Sequence, residues 1–267
     1  MELGIAGKVA LVTGGSKGIG REISERLGRE GARVVVCARE QAAIDATVAA
    51  IRDAGGQATG FSGDMTDVTN YIRAVETAKD HFDAPEIAIY NMQAPKPGSF
   101  EELTDADFLE AYHLVTTCYA NLVRAVLPGM KAKRWGRVVT IGSGTAKQPI
   151  RTTPLFSYVL ANAHRAGAVG LNKTLAGDYG QYGITFNTIG VGSIETVQAR
   201  AWLEARAAEA GTTYENMLDQ FFANNPVRRA GQPGEVAALA VYLSSQDSGF
   251  TTGETILCDG GYVQSLL

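Results

Sequence analysis

Eight residues near the start of the chain, Thr13-Gly14-Gly15-Ser16-Lys17-Gly18-Ile19-Gly20, have the composition of a turn that holds a phosphate anion. Gly14 supplies a tight turn, Gly18 lets backbone come close to a pyrophosphate, and Gly20 lets a helix pack on a strand. Ser16, Lys17 and Ile19 complete the turn, and the helix that follows offers unpaired N–H groups to the anion. A glycine-rich turn alone is weak evidence, but this one has a β-branched run before it and an apolar-periodic stretch after it. Two cations suggest which dinucleotide it binds. The next apolar run ends Val34-Val35-Val36-Cys37-Ala38-Arg39, with no carboxylate before Glu40. Arg39, with Lys17 beside it, suits a ribose 2′-phosphate, so NADP(H) is expected rather than NAD(H). Taken singly, each also reads as a solvated surface charge. Asp64, after the third apolar run, reads either as a neighbour of the adenine or as a turn carboxylate. Ser143 directly follows the fifth run, where a hydroxyl either orients a ligand oxygen or merely ends a strand.

The elements that must position these residues alternate along the whole chain. Strands are predicted over Val9–Thr13, Arg33–Cys37, Ala58–Ser62, Ile87–Tyr90, Arg137–Ile141, Ile184–Ile189 and Thr255–Cys258, with helices near 18–30, 40–54, 68–82, 104–131, 156–179 and 233–244. Strands joined by helices imply right-handed crossovers and a doubly wound parallel sheet of about seven strands, helices on both faces. Ligands then collect at the C-terminal strand ends. The 267 residues fit a single α/β domain over 1–267. The segment 193–225 is helical in pattern and rich in Trp202, Met217, Leu218, Phe221 and Phe222. It reads as a flap over a substrate, or as a packing or oligomer surface.

Composition excludes several classes. A net charge of −4 with 19% charged residues argues against a general nucleic-acid or membrane binder. Cys37, Cys118 and Cys258 have no metal-ligand spacing and read as buried thiols; no metal is expected. No signal-peptide pattern opens the chain, and no apolar run is long enough to span a bilayer, so a cytoplasmic location is expected.

With these features the chain resembles the short-chain dehydrogenase/reductase family from residue 5 to about 263. Beyond the glycine turn, the likeness is carried by Gly63-Asp64, Gly136-Arg137-Val138-Val139 leading to Ser143, and Gly183-Ile184-Thr185-Phe186-Asn187. Pro226…Arg229…Gly231…Pro233…Glu235-Val236-Ala237 and Asp259-Gly260-Gly261 extend it. The resemblance implies a seven-stranded Rossmann fold, a homotetramer or homodimer, and hydride transfer between NAD(P)H and a carbonyl or alcohol. It adds Met65, Asn91, Ile194 and Thr196 to the expected cofactor contacts. In the family a Tyr supplies the proton, a Ser orients the oxygen, a Lys holds the ribose and an Asn completes a relay.

This chain departs from that pattern. Counting back from Asn187 and Leu175-Ala176 puts Arg165 at the Lys position and Ala161 at the Tyr position. A looser alignment makes Tyr158 the usual Tyr and Asn162 its Lys. The relay Asn falls on Val115, the Asn-Asn-Ala-Gly on Tyr90-Asn91-Met92-Gln93, and the Pro-Gly on Val191-Gly192. The chain looks most like β-ketoacyl-carrier-protein-reductase-like members with an incomplete tetrad. Tyr158 precedes Arg165 by two helical turns, roughly 10 Å along the axis, a spacing similar to the Tyr-x₆-Lys of bacterial enoyl-carrier-protein reductases. Tyr158 is therefore the candidate acid, its pKa lowered by the Arg165 field, or else a packed helix-start aromatic. Arg165 is a candidate for the cofactor ribose and for a developing oxyanion, or an inter-helix ion pair. His113 and His164 read as hydrogen-bonded rather than basic. Pro95-Lys96-Pro97-Gly98 reads as a rigid loop over the cofactor. Three functions fit: an NADPH-dependent reductase of a carbonyl or activated alkene on a small or acyl substrate; a redox-silent lyase, cyclase or dehalogenase; or a non-enzymatic NADP-binding protein.

Overall fold

The computed structural model describes residues 2–151, 157–223 and 225–266. Seven strands form one parallel sheet in the order β3-β2-β1-β4-β5-β6-β7. They are β1 (Val9–Thr13), β2 (Arg33–Ala38), β3 (Gln57–Ser62), β4 (Ile87–Tyr90), β5 (Gly136–Ile141), β6 (Ile184–Val191) and β7 (Thr255–Cys258). Every residue of β1, β4 and β5 is buried, as strands covered on both faces must be. Side-chain alternation sorts them into two cores. Val12, Val34, Val36, Ile87 and Ile89 meet α1 (Gly18–Arg29), α2 (Gln41–Asp53) and α9 (Pro233–Leu243). Leu11, Val35, Cys37 and Phe186 meet α3 (Thr69–His81), α5 (Cys118–Lys133) and α6 (Val159–Tyr179) on the other face. The strand order reverses between β1 and β4, and the crevice outside their carboxyl ends is where this topology receives a ligand.

Two elements differ from the sequence expectation. The single helix expected over 104–131 is α4 (Asp105–Tyr112), a π turn at His113–Thr117, and α5. The π turn adds a residue to the winding, which apolar periodicity does not register. Expected to begin at 156, α6 starts at Val159; 152–156 lie outside the described residues. The stretch 193–225 contains two capped helices, α7 (Val197–Glu209) and α8 (Tyr214–Phe222), with Asn224 outside the described residues. Thr196 and Thr213 cap them, and Leu203, Ala207 and Met217 form a small core of their own.

Candidate active site

The glycine turn sits at the C-terminal end of β1. Gly14 (φ +58°) and Gly18 (φ +52°) occupy left-handed backbone that favours glycine. Space is as restrictive as conformation. A Cβ on Gly14 would lie 2.4 Å from the Asn91 carbonyl oxygen, and one on Gly20 only 2.1 Å from that of Gly14. A Cβ on Gly18 would press on Thr196 Cγ2 at 3.3 Å, so the start of α7 lies beside the turn. Thr13 Oγ1 donates to the Ile89 carbonyl (3.2 Å) and accepts from Asn91 N–H (2.9 Å), and Asn91 Nδ2 donates to the Gly14 carbonyl (3.2 Å). These bonds pin the ends of β1 and β4 together. No side chain caps the N-terminus of α1, which leaves its first N–H groups available to an anion.

The turn opens on a cleft of about 750 Å³. Gly14, Ser16, Lys17, Arg39, Asp64, Met65 and Asn91 all line it, although they come from four strand ends. Ile19 instead packs on the core behind the turn, and Gly20 is buried. Asp64 also closes its own turn, its Oδ1 accepting from Thr66 N–H at 2.9 Å. Lys17 is already engaged: its Nζ lies 2.7 Å from Glu40 Oε2, and this bond holds the Glu40 carboxyl below the usual carboxylate range. Ile194 bridges to Gly231, which anchors the segment leading to Thr196.

Ser143 and Arg165 share a second, smaller cavity of about 260 Å³ at the end of β5. Ser143 Oγ accepts from Thr145 N–H at 3.2 Å. The Arg165 guanidinium donates through Nη1 to the Ile141 carbonyl (3.2 Å), while its Nε is buried without a partner. Burial lowers the guanidinium pKa and Tyr90 opposes that shift; no carboxylate is among the causes. The inter-helix ion pair that the sequence also allowed is therefore not formed among the described residues. Val115, at the position of the relay Asn, is buried and lines this cavity. Asn162, the Lys position of the looser alignment, exchanges two bonds with the Ile150 backbone (3.1 and 2.8 Å).

Tyr158 lines a third cavity, of about 600 Å³, under α7 and α8, with Ile194, Trp202, Leu203, Tyr214, Leu218 and Phe222 among its neighbours. This corrects one expectation. Tyr158 and Arg165 line different cavities, and the phenol is not made more acidic. Burial, with Tyr262 nearby, pushes its pKa up to about 12. Ser157 Oγ donates to the Gly98 carbonyl, tying the loop after β4 to the approach to α6.

The remaining candidates play ordinary parts. His113 Nε2 is 2.8 Å from the Thr66 carbonyl oxygen, and His164 packs edge-on against Phe108 with its pKa lowered by burial. Lys96 pairs with Asp107 at 2.8 Å. Burial pushes the Cys118 thiol up to about 11, and no cluster of three or more metal-ligating side chains occurs among the described residues. Sequence reasoning missed one network. Glu195 accepts from Tyr214 O–H (3.2 Å) and from Gln232 Nε2 (2.9 Å), joining α7, α8 and the approach to α9. Those partners are 19 and 37 residues away, so no local spacing signals them.

Comparison with known proteins places this geometry in context. A family profile described as enoyl-(acyl carrier protein) reductase matches residues 14–263. The chain is 32% identical over 256 residues to a putative ketoacyl reductase of Streptomyces coelicolor, covering 95% of this chain and 96% of the relative. The L-sorbose reductase of Gluconobacter frateurii, solved with NADPH and L-sorbose, superposes with a TM-score of 0.93 at 26% identity, over 100% of both chains. A short-chain oxidoreductase of Pseudomonas aeruginosa PAO1, described as containing an atypical catalytic centre, superposes with a TM-score of 0.89 at 29% identity, over 98% of this chain and 99% of the other.

Proposed function

The chain belongs to the short-chain dehydrogenase/reductase family of oxidoreductases, and on that premise we propose that it is an NADPH-dependent reductase of a carbonyl, or activated alkene, with an altered catalytic set. The observation that carries this reading is the cleft at the β1/β4 switch point. There Gly14, Ser16, Lys17 and the exposed Arg39 line one space, and the uncapped N-terminus of α1 follows directly from the turn. Those residues fit a dinucleotide with a ribose 2′-phosphate. Gly14, Ser16, Gly18 and Gly20 would take the pyrophosphate, and Lys17 and Arg39 the 2′-phosphate. Asp64 and Met65 would take the adenine, and Asn91, Ile194, Thr196 and Arg165 the nicotinamide half.

When bound, the reduced nicotinamide supplies a hydride to the substrate carbon. Tyr158 supplies the proton to the substrate oxygen, and its raised pKa keeps that proton in place at neutral pH. Ser143 and the Arg165 guanidinium, which line the smaller cavity at the end of β5, would serve that oxygen by a hydrogen bond and by charge where the substrate spans the two cavities. Residues 193–225 act as a helical substrate flap on a single domain. We place the protein in the cytoplasm as a homotetramer or homodimer; no helix among the described residues is long and apolar enough to cross a membrane.

The test is the loss of NADPH absorbance with a panel of ketones, enones and thioesters. Turnover with NADPH and not NADH supports the reading. Tight NADPH binding with no turnover on any of them would favour the redox-silent or non-enzymatic alternatives. Those alternatives draw support from the separation of Tyr158 and Arg165 into different cavities.

A further inference from the structure

We infer that the cavity under α7 and α8 takes an uncharged, apolar carbonyl compound as a free small molecule, and not an acyl group presented on a carrier protein. The inference rests on reading that cavity as the substrate side of a reductase. It is a concave, mostly apolar space beside the ends of the strands, the kind of place where small molecules bind. Its walls are made largely by Ile194, Trp202, Leu203, Leu218 and Phe222.

Two charged side chains reach the lining, Glu195 and Arg200, and both are already engaged. Glu195 accepts from Tyr214 and Gln232. Arg200 donates to Glu204 at 2.9 Å, has Nη1 3.7 Å from Glu195, and lies over the Tyr214 ring at 4.8 Å. Nearby cations are spoken for in the same way: Arg206 pairs with Glu209 at 2.8 Å, and Arg229 grips Glu235 through two bonds of 2.7 and 2.8 Å. Arg228 is outside the lining of this cavity.

Exposed pairs of this kind are individually weak, so a ligand anion competes for Arg200 on nearly equal terms. The local balance of charge decides the outcome. Between residues 193 and 235 there are four arginines against six carboxylates. An anion that captured Arg200 would take the donor from Glu204 and place a third negative charge beside Glu204 and Glu195. A carboxylate carried into the apolar walls would lose its hydration without gaining a partner. A phosphopantetheine arm brings a phosphodiester to the mouth, and an acidic carrier protein meets a segment in which carboxylates outnumber arginines six to four.

The experiment measures binding by calorimetry to the unmodified full chain with NADP⁺ present. It compares 2-decanone with 9-oxodecanoate, in which only the terminal methyl is replaced by carboxylate, and a free thioester with its carrier-protein counterpart. The uncharged ketone is expected to bind at least about ten-fold tighter than the keto acid, the scale of one unpaired charge at a partly wet site. The carrier-bound thioester is expected to bind no better than the free one. Leu218→Arg, which adds a cation at a half-buried position in the lining, should invert the ketone ranking. Tryptophan fluorescence gives a second readout, since Trp202 is one of only two tryptophans and lines the cavity. Equal or tighter binding of the keto acid or the carrier-bound thioester overturns the inference, as does failure of 2-decanone to bind. Binding in the expected order without NADPH oxidation would leave this inference standing and remove the reductase reading. Reduction with the opposite order would do the reverse.

Discussion

Replacing Arg39 by Ala should weaken NADPH binding while leaving NADH binding nearly unchanged, and the structure sets the size of the effect. Arg39 lines the cleft and is exposed. A bidentate guanidinium–phosphate contact is strong when dry, but solvent screens an exposed one, so about 1.5 kcal/mol is the appropriate figure, roughly ten-fold in Kd. Lys17 should contribute less, although it lies nearer the turn. Its ammonium already pairs with Glu40 at 2.7 Å, so contact with a phosphate exchanges one partner for another. Lys17→Ala should therefore weaken NADPH by only about two- to three-fold, within the range of exposed pairs. Glu40→Gln frees Lys17 and removes a negative charge beside the phosphate site, so NADPH affinity should rise and NADH affinity should not. Fluorescence titration of both cofactors at about 0.05 M and about 0.3 M salt reads all three variants, and the NADPH advantage should shrink as screening increases. If Arg39→Ala weakens both cofactors equally, or Glu40→Gln leaves their ratio unchanged, the 2′-phosphate does not lie between these side chains.

Gly20→Val should abolish NADPH binding in a titration on folded protein, because even its Cβ would fall 2.1 Å from the Gly14 carbonyl oxygen. Tyr158→Phe should lower turnover by roughly 10²-fold, the scale of a lost general acid, while Ser143→Ala should cost less. With the phenol pKa near 12, reduction should stay level with pH through the neutral range and fall only as Tyr158 loses its proton in strong base; a kcat that falls with an apparent pKa near neutrality would exclude Tyr158 as the acid. Sedimentation should show a homotetramer or homodimer. Phe100, Leu109 and Tyr112 are exposed near α4, and a monomer at all concentrations would leave that apolar surface unexplained.

The parts of the fold that were legible in the sequence are those that local patterning controls. All seven strands lie within two residues of their expected bounds, because runs such as Val34-Val35-Val36 have no stable place except in a sheet buried on both faces. The cleft was legible for the same reason: parallel strands bring their carboxyl ends together, so the turn at 13–20, Arg39, Asp64 and Asn91 meet without any sequence proximity. The pairing of Lys17 with Glu40 was not legible, since it depends on how the ends of the turn and of β2 face each other across the cleft. Nor was the π turn at His113–Thr117, which changes the face of every residue beyond it.

The catalytic positions were the least legible, and Arg165 shows why. Counting along the chain identified it as the departure from the family pattern, but counting cannot say what surrounds it. In the fold it lies over a cavity with Ser143, its Nε buried and unpaired, and with Val115 as an apolar neighbour. A guanidinium keeps its proton under these conditions, so Arg165 can hold charge but cannot pass a proton on. Val115 offers no hydrogen bond through which water could be ordered toward it. On the proposed function, the proton must then reach the substrate oxygen from the Tyr158 side, through the cavity under α7 and α8. On that reading Arg165 would hold charge in the Ser143 cavity, and whatever replenishes the Tyr158 proton would do so from the cavity under α7 and α8. Reduction should accordingly show a solvent isotope effect that is lost in Tyr158→Phe and retained in Arg165→Lys.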